Sequence, residues 1–163
     1  TGTLSLATTE LNLFTAMRDE GWLLFKNTSG ISTTAGAAYA DYTGFDTPTI
    51  IGTDYSVNVT TGVVTINTTG RYLVSYHLLS IDLVAGRCGF NTRVLFDLGA
   101  GYGSIPMMES GGYSRFNTVE KWAIATNPGY IQDFTATDLI KLQVKSTTSA
   151  CNVTGHITIQ RIG

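Results

Sequence analysis

The chain has 163 residues, enough for one domain with a sizeable core and short for two. Apolar residues make up an ordinary 43%, but charged residues only 13% against about 25% in typical soluble chains, and 26 threonines fill the gap. A net charge of −2, with no basic cluster and no acidic tail, excludes the electrostatic footprint of a nucleic-acid or anionic-membrane binder. No apolar run approaches the ~20 residues that a membrane-spanning helix needs. The sequence opens on Thr1 with no signal-peptide pattern, which reads as processing or as a piece of a longer polypeptide.

In chain order, residues 1–21 read as an N-terminal arm or short helix. Thr9 can cap "ELNLFTAMRDE", Glu10 stands in the first turn and Gly21 follows the end. Residues 22–163 read as one β domain, with strand and turn signals alternating every ~8–14 residues. "WLLFKN" is the first strand, and 30–48, rich in Gly, Ala and Thr, reads as a long surface loop. "TIIGTDYSVNV" is the next strand. "TTG" at 60–62 and "NTTG" at 67–70 are turns around "VVTI". "RYLVSYHLLSI" (71–81) is the longest strand signal, and "GFNTRVLFDL", "NTVEKWAIA", "DLIKLQV" and "GHITIQRI" follow.

Two of these strands differ in how they alternate. Ile140, Leu142 and Val144 share a face opposite Leu139, Lys141, Gln143 and Lys145, the pattern of a sheet with one mostly wet side. Tyr72, Val74 and Tyr76 share a face too, yet Leu73, Leu79 and Ile81 occupy the other, with Ser75 and His77 between. A strand apolar on both faces needs cover on both. A two-layer sandwich supplies one cover, so the second is expected to be another subunit.

"RVLFDLGAGYGSIP" (93–106) carries glycines spaced much as in the first motif of S-adenosylmethionine-dependent methyltransferases. That use requires a helix start behind the turn. Pro106 and Gly111-Gly112 break any helix there, and about 60 residues are too few for the remaining βαβ units. The loop therefore reads as a hairpin.

"TTGVVTINTTGRYLVSYHL" (60–78) resembles the complement C1q-like and tumour-necrosis-factor-like jelly-roll domains, especially bacterial and phage members. Gly70, Tyr72, Val74 and Tyr76 fill the family's Gly-x-Tyr-x-(aromatic or aliphatic)-x-Tyr signature. "RCGFNTRVLFDLG", "TATDLIKLQV" and "TGHITIQRI" match later strands, with Thr137 where the family has Gly before Asp138. The resemblance implies an all-β, antiparallel two-sheet sandwich that assembles as a homotrimer and is not an enzyme. It implies Leu73, Ser75, His77, Leu79 and Ile81 at the subunit interface, and Tyr72, Val74, Tyr76, Ile140, Leu142 and Val144 in the core. The expected role is a virion structural head of fibre, spike or capsid-decoration type, extracellular or on the virion surface. Its partners would be itself and a protein or glycan on a cell or virion surface, without nucleic acid or membrane insertion. A bacterial surface or spore-coat collagen-like protein, or a secreted ligand, could carry the same head.

Few residues suggest chemistry. His77 and His156 have no paired nucleophile, so no triad assembles, and neither cofactor nor metal is expected. Asp41, Asp46, Asp54, Asp82 and Asp97 lack the spacing of a calcium loop and read as solvated turn residues. Tyr39, Tyr42, Tyr102 and Tyr113 fall in Gly/Thr/Asn-rich stretches and are candidate receptor contacts. Cys88 and Cys151 could be one disulfide or two buried thiols. The resemblance places both in loops at one end of the sandwich, where a disulfide closing about 60 residues would contribute ~4 kcal/mol.

Overall fold

The structure, a computed structural model, describes residues 21–27, 33–82, 88–114, 122–147 and 151–163. The helix or arm read over 1–21 lies, apart from Gly21, outside them, as does the start of the strand read at 117–125. Within them run twelve antiparallel strands. These are β1 (Trp22–Lys26), β2 (Thr33–Ala35), β3 (Ala40–Asp41), β4 (Thr47–Ile51), β5 (Tyr55–Asn58) and β6 (Val63–Ile66). After them come β7 (Gly70–Asp82), β8 (Cys88–Asp97), β9 (Tyr102–Ser114), β10 (Trp122–Phe134), β11 (Leu139–Ser146) and β12 (Cys151–Arg161). Sheet I has the order β10-β7-β12-β1-β4, with β2 also on β12; sheet II has the order β5-β6-β11-β8-β9, with β3 also on β11. Apart from the β8–β9 pair, consecutive long strands from β7 to β12 switch sheets, as in a jelly roll.

Period-two alternation places the core between the sheets. Tyr72, Val74, Tyr76 and Leu78 of β7 meet Ile140, Leu142 and Val144 of β11, all buried. Aromatic rings fill one end in a chain of edge-to-face contacts, Tyr55 to Tyr72 to Phe134 at 5.8 Å each and Phe134 to Phe96 at 4.9 Å. A second group, Phe25, Phe45 and Tyr42, packs separately. Three hydroxyls that enter the core find partners. Thr92 Oγ1 donates to Tyr76 Oη at 2.8 Å, and Tyr76 Oη donates to the Met108 carbonyl at 3.2 Å, a polar bridge between the sheets. Tyr55 Oη donates to the Gly21 carbonyl at 2.7 Å.

Two parts of the sequence reading are corrected. The supposed surface loop at 30–48 contains β2, β3 and the start of β4, and within it Tyr42 and Phe45 are core residues. The strand read at 49–59 is two strands, because Gly52 turns the chain at φ +83°. Strand β9 was not foreseen. It runs through Pro106, which a strand tolerates at the sheet edge that β9 occupies. The glycine stretch is a β8–β9 hairpin: Gly99 and Gly101 sit at φ +88° and +90°, and their amides donate to Asp97 Oδ1 at 3.0 and 2.9 Å.

The turn before β11 holds a strained residue. Thr135 N donates to Asp138 Oδ2 at 2.8 Å, Thr137 N donates to the Ile66 carbonyl at 2.8 Å, and Thr137 is forced to φ +83°. A β-branched residue there is unfavourable, whereas Gly adopts it freely. Thr137→Gly is therefore expected to raise the unfolding free energy by about 1 kcal/mol, relieved strain exceeding the added backbone entropy. Urea unfolding checks this, and an unchanged or lower midpoint would show that the threonine is not strained.

Candidate interaction surfaces

The outward face of sheet I is set by the residues that alternate with the core. Its rows follow from register. Leu79 lies between Ile124 of β10 and Thr154 of β12, and His77 between Thr126 and His156. Leu73 lies between Ile131 and Gln160, and β1 adds Trp22, Leu24 and Lys26. Leu73, Ser75, His77 and Leu79 are all half-buried in the single chain, while Ile124 is 42% and Ile131 56% exposed. The side chain of Ile81 lies outside the described residues.

At the middle of this face the two histidines stack, ring centroids 5.7 Å apart and planes at 21°. Burial, and then the charge of His77 beside it, hold His156 below its ordinary value of 6.5. The contact depends on an adjacent glycine. Gly155 sits at φ +148° against β7, and a Cβ there would lie 2.1 Å from the His77 carbonyl oxygen and 2.9 Å from Leu78 Cα.

The outward face of sheet II is polar and internally paired. Asp41 of β3 accepts from Lys141 Nζ at 3.0 Å and Gln143 Nε2 at 2.7 Å, while Gln143 Oε1 accepts from Arg93 Nε and Nη2 at 2.9 and 2.7 Å. Burial would raise the Asp41 carboxyl, but the bonds from Gln143 and Lys141 and the charge of Lys141 outweigh it and hold it below the usual carboxylate range. The cations also meet rings: Arg93 lies 4.0 Å and Lys145 Nζ 4.5 Å from the Tyr39 centroid, and Lys141 Nζ lies 4.0 Å from Tyr102. Beneath this layer Leu95, which points away from the core, is only 5% exposed.

The candidate tyrosines thus separate. Tyr113 is 61% and Tyr102 37% exposed, but both belong to strand β9 rather than to loops. Tyr39 is half-buried beneath its cations. Tyr42 is not a surface residue at all: it is fully buried, and burial pushes its hydroxyl up to about 12. Residues after β3 point inward because Tyr42 N donates to the Leu142 carbonyl at 2.7 Å, tying the chain to β11. The loop positions expected for the cysteines are also corrected. Cys88 opens β8 and Cys151 opens β12, in opposite sheets. Cys151 is a buried free thiol, so no disulfide to it is formed, and the Cys88 side chain lies outside the described residues.

Nor are the aspartates uniformly solvated turn residues. Asp54 is buried, 3.7 Å from Arg161, and Asp97 caps the hairpin glycines. Among the described residues no three His, Cys, Asp or Glu side chains gather to hold a metal, and no helix is long and apolar enough to cross a membrane. A hollow of about 680 Å³ is an open groove at one end of the sandwich, lined by Arg71, Leu98, Asp133, Phe134, Ile162 and their neighbours.

No protein-family model and no curated protein matches the chain. Solved structures do resemble it. The structure of Eiger TNF from S. frugiperda superposes with a TM-score of 0.63 at 15% identity, covering 90% of this chain and 94% of that one. Murine APRIL at pH 5.0 gives 0.62 at 9% identity, covering 88% and 99%. The globular domain of zebrafish complement 1qA protein gives 0.52 at 14% identity, covering 88% and 95%. The fold is a C1q/TNF-like jelly roll, all-β with two antiparallel sheets.

Because Gly155 lets β12 lie against β7 at the histidine pair, Gly155→Ala is expected to destabilise the chain by about 1–3 kcal/mol. Thermal unfolding measures the loss. A variant as stable as the parent would mean that β7 and β12 can part here without penalty.

Proposed function

We propose that the chain is a non-catalytic jelly-roll head that forms a homotrimer through the outward face of sheet I. It would serve as a fibre, spike or capsid-decoration component of a phage-type virion and bind a protein or glycan at a cell or virion surface. One observation carries the reading: the outward face of sheet I holds two cross-strand apolar pairs, Leu73 with Ile131 and Leu79 with Ile124, half-buried or exposed in the single chain, with Ser75 and His77 between them. Large apolar side chains left partly wet on one sheet face favour association through that face. A second copy of the chain suits it, since assembly through this sheet is what the resemblance to C1q/TNF-like domains implies. The low charge and abundant threonine fit a protein displayed on a particle rather than one steered to a charged partner.

The non-catalytic part rests on where the reactive side chains go. The glycine stretch that resembled a cofactor loop is closed by Asp97, and both histidines lie on the open sheet face, stacked on one another.

Equilibrium sedimentation is expected to give a species of three times 17.5 kDa. Leu73→Asp is expected to convert it to a monomer with an unchanged far-ultraviolet dichroism spectrum. The position is already half-buried rather than core in the single chain, but between subunits the carboxylate would be buried without a partner. A fully assembled variant would refute this face as the interface.

A further inference from the structure

We propose that the His77–His156 pair makes assembly through sheet I proton-sensitive, the copies associating while both imidazoles are neutral and separating once they are protonated. The inference rests on the self-association reading given above and adds a control to the same face.

The pair is built by register, not by chance proximity. His77 and His156 are directly opposite on β7 and β12, near the middle of the face, with ring centroids 5.7 Å apart. Each is half-buried before any partner arrives. The surrounding positions offer little to offset positive charge. On β7 the neighbours along the face are Ser75 and Leu79, on β12 Thr154 and Thr158, and on β10 Thr126 and Ile124. On β1 the residue opposite His156 is Lys26, a further cation. Beyond it β4 presents Thr47, whose hydroxyl donates to Asp46 Oδ1 at 2.9 Å. Two ion pairs of this sheet, Arg71 with Asp133 at 2.8 Å and Arg161 with Asp54 at 3.7 Å, stand at its far end. Two protons on the pair would thus place two like charges, beside Lys26, on a surface that assembly closes off from water. Charge buried without a partner is strongly disfavoured.

The direction of the effect follows from linkage. His156 is already held below its ordinary 6.5 in the single chain, first by burial and then by His77, and removing the remaining water lowers it further. A base whose value falls on assembly leaves assembly unopposed above its single-chain value, itself below 6.5, and opposes it as the pH drops through that value. If each of three chains must release one proton, the trimer constant falls about a thousandfold per pH unit below that point.

The test is sedimentation of the full chain at about pH 8 and about pH 5, beside His77→Gln/His156→Gln and the single variant His156→Gln. Expected are a trimer of the parent chain at the higher pH, dissociation at the lower, and persistence of the glutamine variants as trimers at both. A parent chain equally trimeric at both values overturns the switch and leaves the assembly reading standing. A parent monomeric at both overturns the assembly reading and the switch with it. Dissociation of parent and glutamine variants alike overturns the assignment to these histidines. If the double variant fails to fold, judged by dichroism at the higher pH, His156→Gln alone decides: it must dissociate less than the parent.

Discussion

Alternation along β7 is the constraint on which the other features depend. Strand geometry sends successive side chains to opposite faces, so burying Tyr72, Val74, Tyr76 and Leu78 between the sheets commits Leu73, Ser75, His77 and Leu79 to the outside. A one-residue slip would exchange the two sets. The long ladder from Cys151↔Asp82 to Arg161↔Tyr72 resists such a slip, and β10 pins the opposite edge from Trp122↔Ile81 to Phe134↔Gly70. The outward apolar residues are therefore a fixed by-product of the core and cannot turn inward to escape water.

The tyrosines show how the same strand couples the two sheets. Each brings a large apolar ring and one hydroxyl that needs a partner. Tyr76 reaches across to Thr92 and the Met108 carbonyl, and Tyr72 donates to the Thr68 carbonyl at the turn that starts the strand. Burial raises the hydroxyls of both, Tyr72 to about 12, so they remain neutral donors at any physiological pH. Core packing and backbone satisfaction are thus met by the same side chains. This explains why a sequence signature as short as Gly70-x-Tyr72-x-x-x-Tyr76 is informative about a whole fold.

Where period-two patterning is long, the sequence was legible. The strands around 22–26, 63–66, 71–81, 89–97, 139–144 and 155–161 stand where alternation put them. Legibility failed where pairing rather than pattern makes the strand. Strand β3 has two residues, held by Gln143↔Asp41 and Val144↔Ala40, too few for any period to show. Tyr42 was read as a surface residue for that reason: Gly, Ala and Thr around it look like loop, and only β11 turns it inward. Strand β9 was hidden by Pro106 and two glycines, which are tolerable only because it forms the sheet edge. Of the surfaces, the apolar face of β7 could be read from one strand. The Asp41–Gln143–Arg93 network could not, since its members come from three strands separated by about 50 to 100 residues.

The two outward faces of the sandwich differ in what remains to be satisfied, and this difference supports the proposal that assembly runs through sheet I. On sheet II Asp41, Lys141, Gln143 and Arg93 are bonded to each other or set over rings, and Leu95 beneath them is already dry. Such a surface gains little from a dry contact, because covering it would strip water from charges that are content with it. On sheet I the apolar side chains are still partly wet, so closure there releases water from hydrocarbon. The exception within sheet I is the stacked histidine pair, a group that is compatible with closure only in its uncharged form. Hydrophobic gain thus favours closing sheet I rather than sheet II, and in the proposed trimer the protonation of two imidazoles would oppose it, so a single face would hold both the drive to assemble and a means of reversing it.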